Sequence, residues 1–174
     1  MTSGQRLPRA LLVVLLLGIY STLGVVRVVS NALRDANLLR ASVAVVFGLV
    51  LTVLTVVVLK TKELRTPRAF VTALMLVGVY AFVIWPMESP EEKLHFVEYG
   101  AVGVLAFLSA PERWSELKRL AAAVLFTAAA GWIDEGIQAL LPSRYYDLRD
   151  VGFNALAGLL SVSGLSVFRF ISRR

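Results

Sequence analysis

The chain has 174 residues, of which 57% are hydrophobic and only 17% charged, with a formal net charge of +6 and no cysteine. Soluble domains carry about 25% charged residues, so this composition, with a mean hydropathy of +0.74, excludes an ordinary soluble globule and points to a single integral membrane domain over the whole chain. The lack of cysteine excludes disulfides and thiolate metal sites, and nowhere do basic residues interleave with aromatics as a nucleic-acid surface requires.

Six apolar runs follow in order, over 10–29, 41–59, 70–85, 94–110, 120–141 and 151–171. About 17–25 helical residues cross the hydrocarbon core, so the pattern predicts an all-α membrane bundle of about six helices. The first run follows Arg6 and Arg9 but is longer than a signal-peptide apolar region, and more spans come after it; an uncleaved first helix is expected. The third is short and stops at Pro86, with 66–69 available to extend it. The fifth is rich in small residues, from Ala121 to Ala123 and from Ala128 to Gly131, which let helix backbones approach closely in lipid.

Lys and Arg placement sets the expected orientation. The two termini and the loops after the second and fourth runs hold 12 of the 18 basic residues, which places them in the cytoplasm by the positive-inside rule. The segments 87–93 and 142–150 then face outside. Trp85, Trp114, Tyr145 and Tyr146 read as interfacial anchors.

Polar residues are rare inside the runs, and they recur at one depth. His95, Glu98 and Tyr99 share a face in the first two turns of the fourth helix, because residues three and four apart are neighbours on a helix. Asp134, Glu135 and Gln138 lie in the last two turns of the fifth helix, and Asp150 and Asn154 lie four apart in the sixth. All point to the outer side. An ionisable group in a membrane helix costs roughly 2.5 kcal/mol or more at the centre, so such groups are paired, solvated or functional.

The fourth and sixth helices also present their N-termini outward, where unpaired N–H groups favour an anion. Lys93, Arg144 and Arg149 lie in the same outer segments, and an arginine such as Arg144 can grip a phosphate or carboxylate in bidentate fashion. Plainer roles compete: Asp147 or Asp150 as helix cap, Arg144 as counter-ion to Glu135 or Asp134, and Asn154 as a link between helices. A histidine beside carboxylates suits acid–base work. It could also join them around a divalent cation, but the spacing matches no recognised metal motif, so no metal ligand is assigned and the cofactor is left unknown.

The segment from Glu92 through His95 to Glu98, Tyr99 and Gly100 resembles the first motif of the VanZ-like membrane protein family. Asp134, Glu135, Gln138, Arg144, Asp147, Asp150, Asn154 and Gly158 resemble its second. The resemblance covers the last four helices, over 68–171, and leaves two N-terminal helices, over 10–60, outside that core. It implies a multi-pass protein of the bacterial cytoplasmic membrane, and a context of resistance to the glycopeptide teicoplanin rather than a defined reaction. The expected ligand is amphipathic and anionic, a lipid-linked cell-wall precursor or a lipoglycopeptide, taken from the outer leaflet. In that reading His95, Glu98, Asp134 and Glu135 are the candidate catalytic groups. Lys93, Tyr99, Gln138, Arg144, Asp147, Asp150 and Asn154 are the candidate ligand-binding groups. A non-catalytic scaffold, its polar motif serving as an internal lock, is the alternative, so enzyme and non-enzyme both stay open.

Overall fold

The computed structural model describes residues 5–62, 66–87, 89–141 and 146–172. They form six helices and no strand: α1 Arg6–Asp35, α2 Leu39–Lys60, α3 Pro67–Ile84, α4 Pro90–Ser109, α5 Glu116–Ala139 and α6 Leu148–Ser172. Five of these, all but α4, are long and apolar enough to cross a membrane by length and composition, the pattern of a multi-pass membrane protein. α4 departs from the expected sixth span because Glu91, Glu92, Lys93 and Glu98 crowd its first three turns.

Local sequence explains the boundaries. Thr66 caps α3 by accepting from Ala69 N at 3.1 Å, with Pro67 at the first helical position, where its missing N–H costs nothing. Ser89 accepts from Glu92 N at 3.0 Å, so α4 starts one turn before its apolar run. Ser115 caps α5 through Lys118 N at 3.3 Å. Asp147 accepts from Arg149 N at 2.8 Å just ahead of α6. At the end of α1 the chain turns through Asn37, whose φ is 57°. Leu38 N donates to Leu33 O and Asn37 N to Arg34 O, the paired bonds of a Schellman stop, for which asparagine is tolerated in the left-handed position.

The helices divide into two compact units, 1–29 with 95–163, and 30–94 with 164–174. In the second, α2 buries only Leu39 and Val43 and α3 only Ala69. Leu49, Leu54, Phe70 and Phe82 are more than half exposed. Apolar area costs about 25 cal/mol per Å² in water, so these faces are built for lipid. The hydroxyls of Thr52 and Thr55 donate to the carbonyls of Gly48 and Leu51 at 2.7 and 2.8 Å, so neither of these two O–H groups is left unsatisfied. Arg34 pairs with Glu91 within this unit.

The first unit holds the polar residues. Ala123, Thr127, Ala130, Gly131, Asp134, Glu135 and Gln138 are the buried positions of α5. Their spacing of three and four makes one stripe, while Leu125, Trp132 and Ile133 point outward. The helix is thus inverted relative to a soluble one, small and polar inside and apolar outside. A Cβ on Gly103 would lie 2.7 Å from Gly158 Cα, and one on Gly158 would lie 2.9 Å from Thr127 Cβ, so α4 and α6 meet backbone to backbone at this point, with the Thr127 side chain of α5 packed on Gly158.

α1 joins this unit through its first 24 helical residues. Gln5 Nε2 donates to Ala110 O at 3.0 Å, and Arg9 donates twice to Ser109 O, at 3.0 and 3.1 Å. Arg119 donates to Phe107 O at 3.1 Å and lies over the Phe107 ring at 4.5 Å. These side chains satisfy the last carbonyls of α4 and place two cations at the negative end of its dipole.

Candidate functional site

One turn of α4 and two turns of α5 make the centre. His95 Nε2 lies 2.7 Å from Asp134 Oδ2, and His95 Nδ1 faces Glu98 Oε2 at 3.6 Å. Asp134 is fully buried and Glu135 almost so, whereas the His95 side chain is 20% exposed and that of Glu98 is 47% exposed. The imidazole therefore stands between an outward carboxylate and a sealed one. Despite the 2.7 Å separation, Nε2 makes no hydrogen bond of good geometry.

Gln138 holds the two α5 carboxylates in place. Its Nε2 donates to Asp134 Oδ2 at 3.3 Å and to Glu135 Oε1 at 3.2 Å, as its offsets of four and three residues allow. The other Glu135 oxygen accepts from Asp147 N at 3.2 Å. One carboxylate thus ties the end of α5 to the start of α6. Asn154 reaches the cluster from α6, packed on Gly131, where an added Cβ would lie 2.7 Å from both its Cβ and its Nδ2. Because Gly131 precedes Asp134 and Glu135 by three and four residues, Asn154 sits one turn beneath both.

Tyr99 is fully buried, and its ring lies 4.9 Å from that of His95. Its hydroxyl donates to Ala130 O at 3.3 Å, and Tyr20 from α1 donates to the same carbonyl at 2.9 Å. The sequence reading did not select Tyr20. The available signal was a lone tyrosine within the first span, which by itself reads as an anchor.

Three helices therefore bring together His95, Tyr99, Asp134, Glu135, Gln138 and Asn154. Glu98 stands at the exposed edge. Asp147 lends its backbone N–H to the cluster, while its side chain is exposed and caps α6. Asp150 lies in the first turn of α6, half-buried, and Lys93 is half-buried in the first turn of α4. Arg144 lies outside the described residues. His95, Asp134 and Glu135 each offer one ligand atom within 4.8 Å of the others, so they are the residues able to hold a metal ion.

No family model matches the chain, and no curated protein or solved structure matches it. The family resemblance rests on the motif residues alone.

Proposed function

We propose that the chain is a VanZ-like protein of the bacterial cytoplasmic membrane, both termini inside, that binds or modifies an amphipathic anionic ligand at an outward-facing polar site. The observation that supports this most is the His95–Asp134 contact, in which a partly accessible imidazole backs onto a fully buried carboxylate. Burying an ionisable pair is costly unless it is closely matched, and in a membrane helix such groups mark functional sites by default. His95 passes a proton or donates to a phosphate oxygen, and Asp134 and Glu135 serve as base. Gln138 and Asn154 orient them, and Arg144 holds the anion. A lipid-linked cell-wall precursor or a lipoglycopeptide has the required chemistry.

The test is teicoplanin susceptibility of a bacterial host expressing the chain. Alanine at His95, Glu135 or Arg144 should abolish protection at unchanged protein level; full protection by all three variants refutes the proposal. One observation favours the scaffold reading instead: Gln138 and the Asp147 N–H tie the carboxylates to one another. Under that reading substitutions lower thermal stability, and pairing Glu135→Gln with Arg144→Gln restores it.

A further inference from the structure

We propose that His95 Nε2, Asp134 and Glu135 bind one divalent transition-metal ion. Their ligand atoms lie within 4.8 Å of one another. At bond lengths of about 2.0–2.2 Å, two ligands on one ion sit roughly 3–3.5 Å apart when adjacent and about 4.2 Å when opposite. The three atoms are already gathered close to that scale, on the neighbouring helices α4 and α5. His95 Nε2 and Asp134 Oδ2 stand 2.7 Å apart without a hydrogen bond of good geometry, so a parting of a few tenths of an ångström gives them the spacing of two ligands on one ion.

Charge and unmet bonding point the same way. Asp134 and Glu135 are at most 1% exposed, and among the described residues neither is ion-paired to a lysine or arginine. Asp134 Oδ1 is fully buried and accepts no hydrogen bond, and Asn154 Nδ2, one turn beneath, donates none. A buried carboxylate oxygen left this way loses its hydration without replacement. A dication would balance both carboxylates and engage that oxygen directly or through a water on which Asn154 donates.

The surroundings already orient the ligands. Metal-bound histidines typically turn their other ring nitrogen to a carboxylate, and ligating carboxylates are themselves hydrogen-bonded. Here His95 Nδ1 faces Glu98 Oε2, Gln138 donates to Asp134 and Glu135, and Asp147 N donates to Glu135. One imidazole and two carboxylates suit zinc or manganese better than calcium or magnesium, which prefer oxygen alone. The exposed edge of His95 and Glu98 is the route in.

The chain has a single histidine, which makes the test specific. Full-length protein in detergent, freed of its affinity tag, stripped with chelator and labelled with 15N-histidine, is titrated with Zn²⁺ and separately with Mn²⁺. Uptake of one equivalent is expected, with the sole pair of imidazole nitrogen signals shifting on Zn²⁺ and broadening on Mn²⁺. Glu135→Gln and Asp134→Asn should weaken affinity at least about tenfold and Glu98→Gln by about tenfold. Where Asp134→Asn fails to fold, Glu135→Gln with unchanged helicity decides. Imidazole signals unmoved by either ion, or Glu135→Gln binding like the parent, overturn the proposal. Its failure is separate from that of the ligand reading: protection without metal uptake removes only the metal, and uptake without protection removes only the ligand.

Discussion

The crossing of α4 and α6 at Gly103 and Gly158 gives the most direct test of how the site is held. Gly103→Ala places a methyl 2.7 Å from Gly158 Cα, 3.2 Å from Gly158 O and 3.3 Å from Thr127 Oγ1. Carbon pairs settle at about 3.5–4.0 Å, so the two backbones must part by about 1 Å. Backbone cannot swing aside as a side chain can, and overpacking of this kind costs about 1–3 kcal/mol; the upper half of that range is expected. Gly136 and Gly152, in α5 and α6, have nothing within 4 Å of an added Cβ. Alanine there should be neutral or stabilise by about 0.4–1 kcal/mol, since it restricts the unfolded chain without a clash. The assay is thermal unfolding of the purified protein in one detergent, with all three variants side by side. Gly103→Ala melting at or above the parent, or no lower than Gly136→Ala, would refute the backbone crossing. Because His95 sits two turns along α4 from Gly103, the same variant should also weaken whatever His95 and Asp134 do together.

Three further outcomes are expected. Gly131→Ala drives a methyl into the Asn154 Cβ and amide and should cost about 1–3 kcal/mol, with the smaller Asn154→Ala partly restoring the melting temperature in the double variant. Tyr20→Phe removes one of two hydroxyls on Ala130 O; the carbonyl keeps Tyr99, so the loss should stay near 0.6 kcal/mol, the average for hydrogen bonds inside a membrane protein. Arg119→Ala strips a charge-assisted bond to Phe107 O and a cation–π contact, for about 2–3 kcal/mol, and Arg119→Lys should recover only part of it because lysine lacks the planar fork.

Much of this was legible in the chain itself. Run length and the scarcity of charge determined the helices and their membrane character, because hydrocarbon accepts only backbone that satisfies itself within the helix. Three- and four-residue offsets placed His95 with Glu98 and Tyr99, and Gln138 with both acids, since helical geometry fixes those neighbours locally. The small residues of α5 marked it for close packing, and Gly131 is where Asn154 comes to rest.

What the tertiary structure decided is everything that crosses between helices. No local rule pairs His95 with Asp134 rather than Glu135, or spends the Asp147 carboxylate on a helix cap while giving its N–H to Glu135. Nor does sequence reveal that the N-terminal segment joins the end of α4 and α5 through Gln5, Arg9 and Tyr20, because an apolar helix looks the same whether lipid or another helix covers it. Only the backbone approach at Gly103 and Gly158, with the Thr127 side chain against it, fixes which side chains meet, and with them the gathered ligand atoms and the unbonded carboxylate oxygen from which a metal ion is inferred.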